Sequence, residues 1–126
     1  MLSVLKIQNI AIIESAEIEF SRGFNVLSGE TGAGKSIILD SINAILGFRT
    51  SRELIRTGES QAQVVALFSD ISDNVKSKLE ELYLPLDPDG GLLISRVIGA
   101  DKNICKVNNV LTTVAVLREL GSELMS

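Results

Sequence analysis

Gly23-Phe24-Asn25-Val26-Leu27-Ser28-Gly29-Glu30-Thr31-Gly32-Ala33-Gly34-Lys35-Ser36 is the stretch that decides the fold. Four apolar-rich residues, 24–27, read as a short buried strand running straight into G-x-x-x-x-G-K-S, with Gly29, Gly34, Lys35 and Ser36 at the required places. The glycines allow backbone angles closed to other residues and let the chain pass close to a phosphate. Successive backbone amides of Gly29, Glu30, Thr31, Gly32, Ala33 and Gly34 can then turn inward as an anion nest. The loop opens a helix, whose first N–H groups are unpaired and whose dipole favours negative charge. In that arrangement Lys35 reaches the β- and γ-phosphates of a nucleoside triphosphate and the Ser36 hydroxyl ligates Mg²⁺. The pattern therefore predicts a P-loop.

Working outward, Ile37, Ile38, Ile42, Ile45 and Leu46 recur at helical spacing, so a helix is expected over 35–46 with Gly47 as its C-cap. Upstream, residues 1–10 and 12–20 alternate as two strands, joined to the P-loop strand by a turn at 21–23. Downstream, 49–60 is polar, basic and expected to be irregular. A strand is predicted over 62–68 and a helix over 73–82 with Asp73 as N-cap. Pro85, Pro88, Asp89, Gly90 and Gly91 form a loop. Strands over 92–98 and 103–107 make a hairpin, Asn108-Asn109 turns into a third short strand, and an amphipathic helix follows over 113–124 with Thr112 or Thr113 as its cap. Strands and helices do not alternate regularly, so a plain Rossmann layout fits poorly. The pattern indicates an α/β domain with antiparallel strands beside the P-loop strand and helix.

The composition excludes several classes. With 126 residues, 45% apolar and 22% charged, the chain is globular rather than disordered. A mean hydropathy of +0.29 is high for a free-standing domain, and one reading is apolar surface meant for a partner or for a further part of the same protein. No apolar run approaches the roughly 20 residues of a bilayer span, and Met1-Leu2-Ser3-Val4-Leu5-Lys6-Ile7 lacks the layout of a secretory signal. The single Cys105 suits a reducing cytosol and falls in a packed strand pattern. The absence of histidine removes histidine-based acid–base catalysis and the commonest zinc sites. A net charge of −4 does not advertise nucleic-acid binding.

Hydrolysis by a P-loop protein also needs a carboxylate after a second apolar strand. The candidate is Val64-Val65-Ala66-Leu67-Phe68-Ser69-Asp70, and it is a poor one. Ser69 intrudes before Asp70, and Ile71 stands where a catalytic glutamate is wanted. No catalytic residue is assigned within this chain.

Beyond the P-loop, Leu2-Ser3-Val4-Leu5-Lys6-Ile7-Gln8-Asn9-Ile10 resembles the opening strand of the SMC-like, ABC-type ATPase heads, with their L-x-x-L-x-I-x-N pattern. The G-E-T-G-A-G-K-S form of the loop is most similar to the bacterial RecN branch of that family. The segments Gly47-Phe48-Arg49, Glu53-Leu54-Ile55-Arg56-Thr57-Gly58, Leu92-Leu93-Ile94-Ser95-Arg96-Val97-Ile98, Val107-Asn108-Asn109 and Leu117-Arg118-Glu119-Leu120 resemble it in the family's order. The resemblance implies the N-terminal lobe of an ATPase head, with ATP and Mg²⁺ as cofactors and a role in recombinational repair of DNA double-strand breaks. It implies as partners the C-terminal lobe of the same head, a second head across ATP, and DNA, with no membrane and a cytoplasmic, nucleoid-associated location. Residues 1–126 lack the glutamine loop, signature loop, Walker B pair, coiled coil and C-terminal lobe of such proteins, so the expectation is a fragment that binds nucleotide without turning it over. Among Arg49, Arg52 and Arg56, the family places an arginine like Arg56 against the nucleotide or DNA. Lys6 and Asn9 could shape the adenine side of the site by the same analogy, or form a strand edge without ligand. Arg96 and Lys106 are expected at the surface. Two alternatives stay open: a non-catalytic lobe that only docks its complement, and a small P-loop kinase.

Overall fold

Alternation of apolar and polar residues organises most of the chain. The computed structural model describes residues 1–20, 32–99 and 101–125, with the backbone alone for 32–34. The expected turn at 21–23, the strand over 24–27 and the loop residues Gly29, Glu30 and Thr31 lie outside the described residues. The elements run β1 (Leu2–Ile10), β2 (Ile13–Glu19), α1 (Gly32–Ile45), β3 (Gln61–Phe68), α2 (Asp73–Glu81), β4 (Leu92–Gly99), β5 (Asn103–Val107), β6 (Val110–Thr112) and α3 (Val114–Leu124). The six strands form one antiparallel sheet in the order β2-β1-β3-β4-β5-β6.

The sheet's inward face carries Leu5, Ile7 and Ile10 of β1, Ala62, Val64, Ala66 and Phe68 of β3, and Leu92, Ile94 and Ile98 of β4. These join Ile37, Ile38, Ala44 and Ile45 of α1 and Leu117 and Leu120 of α3 in a single core. Burying each large aliphatic side chain is worth about 1.5–3 kcal/mol. A one-residue slip of β1 would turn Lys6 and Gln8 inward in their place, so the burial pattern sets the register.

The turns follow their residue types. Asn108 and Asn109 take φ 47° and 69°, the two left-handed residues of a tight hairpin between Val107 and Val110. The Asn108 side chain also accepts from the Leu93 amide at 2.9 Å and donates to the Pro85 carbonyl at 2.8 Å. The expected cap of α2 shifts by one residue. Ser72, with extended backbone, accepts from the Val75 amide at 3.2 Å, and Asp73 is the first helical residue, where its carboxylate faces the positive end of the dipole. Thr113 caps α3 through the Val116 amide.

Helix α1 starts at Gly32, ahead of the expected Lys35, and closes with a Schellman motif. Gly47, at φ 87°, donates to the Ala44 carbonyl at 3.2 Å, and Phe48 donates to that of Asn43 at 3.0 Å. The segment expected to be irregular after it holds a 3₁₀ turn, Arg52–Leu54, capped by Ser51. It is tied to the end of β1: Ala11 donates to the Leu54 carbonyl, Arg56 donates to that of Asn9, and Ile10 bridges Ile55. Asn9, at φ 57°, is where β1 leaves β3 for this new neighbour.

Candidate phosphate-binding site

Gly32, Ala33 and Gly34 form the opening turn of α1, so Lys35 and Ser36 stand at the start of a helix, and both side chains are exposed. No acidic residue occupies that first turn. The helix's unpaired amides and positive dipole end are therefore not offset by a carboxylate of the same turn. Apolar anchoring gives α1 its direction: Ile37, Ile38, Ala44 and Ile45 face the sheet, while Lys35, Ser36, Leu39, Asp40 and Asn43 face outward. Buried Ser41 returns its hydroxyl to the Ile37 carbonyl at 2.8 Å and so exposes no polar group to the core.

The donor set fits Mg²⁺ only as an ion carried by phosphates. Ser36 offers one exposed hydroxyl, and among the described residues no cluster of three or more His, Cys, Asp or Glu side chains could cage a metal. Magnesium commonly takes one or two protein oxygens and completes its shell with phosphate and water. Asp70 is exposed on the turn after β3, at φ 52°.

The far end of α1 is held by two arginines from other elements. Arg96 of β4, expected at the surface, is buried at 3% exposure. It donates to the carbonyls of Ala44 at 2.9 Å and Phe48 at 2.8 Å, and to Thr50 Oγ1 and Asn103 Oδ1 at 3.4 Å. Burial lowers its pKa from the ordinary arginine value, with the neighbouring Cys105 acting the other way. Cys105, its cross-strand partner, is buried as expected, and burial raises its thiol above the ordinary value, opposed by Arg96. Arg118 of α3 donates to the Gly47 carbonyl at 3.3 Å. Since α1 has no basic residue in its own last turn, these guanidiniums supply the missing positive charge at its C-terminal end. The inward register of Leu92, Ile94 and Ile98 places Arg96 inward as well; that alternation was the available signal.

Arg49 and Arg52 are exposed and Arg56 is half-buried, and among the described residues none makes an ion pair. The Arg56 backbone is pinned to Asn9, and no hydrogen bond joins it to Lys35 or Ser36 among the described residues. Arg49 instead borders an open groove of about 790 Å³ with Ala11, Asp40, Asn43, Phe48 and Leu54. The groove begins one helical turn beyond Ser36. Lys6 pairs with Glu17 at 3.6 Å on the surface, and Asn9 Nδ2 donates to Glu59 and to the Gln61 carbonyl at 3.4 Å. Lys106 is exposed, as expected.

A family model described as an AAA domain matches residues 4–109. DNA repair protein RecN of Halalkalibacterium halodurans is 42% identical over 127 residues, and that of Bacillus subtilis 40% over 126. Each alignment covers 99% of this chain and 22% of the relative, so the chain spans about a fifth of the length of these proteins. Among solved structures, one from work on ATP-driven dimerization and DNA-stimulated activation of SMC ATPases superposes with a TM-score of 0.73 at 25% identity, over 98% of this chain and 79% of that one. The Smc head domain of Pyrococcus furiosus, bound to the C-terminal domain of ScpA, gives 0.70 at 22% identity over 98% and 33%. The similarity is thus to an N-terminal part of RecN, and the fold is that of an SMC-type ATPase head lobe.

Proposed function

The chain belongs to the AAA domain family, and from that premise we propose that it binds the phosphates of ATP, with Mg²⁺, at Gly29, Glu30, Thr31, Gly32, Ala33, Gly34, Lys35 and Ser36. The observation that carries this is the position of Lys35 and Ser36, exposed at the opening of a helix free of acidic residues in its first turn. Lys35 contributes the ammonium for the terminal phosphates, and the Ser36 hydroxyl a ligand for the metal. Bound magnesium would neutralise charge on the β- and γ-phosphates. Arg56 is a further candidate for the nucleotide, on a segment held against β1.

In the complete protein this lobe would serve an SMC-like ATPase in recombinational DNA repair, at the nucleoid. It would pair with the C-terminal lobe of the same head, meet a second head across ATP, and act on DNA. Leu39, 59% exposed one turn beyond Lys35, and Phe48, 51% exposed, support a covering lobe. The proposed domain is residues 1–126 as one such lobe, binding ATP without turning it over alone.

Calorimetric titration with ATP tests the reading. Lys35→Ala should weaken binding at least tenfold, and Ser36→Ala should remove most of the gain from added Mg²⁺. Equal binding by wild type and Lys35→Ala would contradict the site and favour a lobe that only docks.

A further inference from the structure

We propose that Arg96 is a positioning residue for the phosphate site, clamping the far end of α1 and the arginine-bearing segment after it in one pose against the sheet. The proposal rests on the nucleotide reading above. Arg96 is the one charged side chain buried among the described residues, and no carboxylate neutralises it there. Its Nε has no hydrogen-bond partner. Packing alone does not call for such a group. Leu92, Ile94 and Ile98 fill the same face of β4, and a further aliphatic residue would avoid the cost of burying an unpaired cation.

What distinguishes the position is its acceptors. Nη1 bridges the Ala44 carbonyl, in the last turn of α1, and the Phe48 carbonyl, past the Gly47 cap. Nη2 reaches Thr50, within the segment that carries Arg49, Arg52 and Arg56, and Asn103 on β5. A planar fork joins these groups, which a point charge could not do equally well. Helix α1 has 14 residues, about 21 Å of stiff rod at 1.5 Å per residue. A tilt permitted at its C-terminal end therefore displaces Lys35 and Ser36 at the other.

Two readouts test this on the whole chain: Mg·ATP affinity at a temperature where circular dichroism shows each variant folded, and amide exchange at Leu46, Gly47 and Phe48 without nucleotide. Arg96→Met should weaken affinity at least tenfold and accelerate exchange at those amides. Arg96→Lys, retaining charge near the two carbonyls, should recover part of both. A folded Arg96→Met with wild-type affinity overturns the proposal, and so does Arg96→Lys behaving no better than Arg96→Met. Where Arg96→Met does not fold, Arg96→Lys carries the test, with a severalfold loss expected and wild-type affinity overturning it. If wild type and Lys35→Ala both fail to bind ATP, the nucleotide reading has failed on its own. Exchange then decides the clamp, with acceleration supporting it and unchanged protection overturning it.

Discussion

Gly47 and Gly58 take nearly the same left-handed backbone, φ 87° and 92°, but their surroundings differ. A Cβ on Gly47 would lie 2.4 Å from the Arg118 nitrogen, whereas one on Gly58 would meet nothing within 4 Å. Alanine at position 58 should cost about 1–2 kcal/mol for the backbone alone. At position 47 the clash with α3 should add about 1–3 kcal/mol. Urea unfolding of the two variants checks the difference. Cys105 makes a second prediction. Its folded pKa is raised from 9.0 by burial, so its contribution to stability is complete below that value and is lost as pH rises through the raised one. Cys105→Ala should show a flatter alkaline decline in its urea midpoint than wild type; parallel curves would contradict the sign. The buried Arg96 was legible from the period of β4 but ran against the rule that arginines stay outside. What overrides the rule is a pair of carbonyls 48 and 52 residues away in sequence, one in the last turn of α1 and one just past its cap.

At the scale of elements, caps and turns explain where the boundaries fall. Helix α2 closes as α1 does, with Tyr83 donating to the Glu80 carbonyl and Leu84 to that of Leu79, yet a tyrosine at φ 59° occupies the place that glycine holds after α1. Tyr83 is 94% exposed and contributes no packing among the described residues. Tyr83→Gly should therefore stabilise the chain by about 0.5–1 kcal/mol, read as a raised urea midpoint; a lowered midpoint would show that the ring contributes more than its exposure implies. The strands were readable because a half-buried sheet imposes period two, and β3 and β4 fall where the alternation puts them. The cap of α2 was misplaced by one residue because serine and aspartate both suit the role. The choice rests on which residue has extended backbone, which adjacent residue types do not reveal.

For the whole molecule, the order β2-β1-β3-β4-β5-β6 sets β3 beside β1 after a long excursion through α1. That arrangement puts the helix across β1, β3 and β4 and leaves Lys35 and Ser36 exposed near its start. The antiparallel character was legible from the hairpin signals. The pairing of residues 54–56 with the end of β1 was not, because it is made by backbone groups of a segment whose side chains carry no period. Of the proposed site, the structure describes the part from Gly32 onward, a helix start at the place where the G-x-x-x-x-G-K-S spacing calls for one; that spacing is a clear sequence signal because it follows from phosphate chemistry rather than packing. Nuclear magnetic resonance of the labelled chain titrated with Mg·ATP probes the proposed phosphate site residue by residue. The largest amide shifts should fall on Gly34, Lys35 and Ser36 and vanish in Lys35→Ala. Shifts concentrated instead on the groove residues Asn43, Arg49 and Thr50, or persisting in Lys35→Ala, would contradict that site.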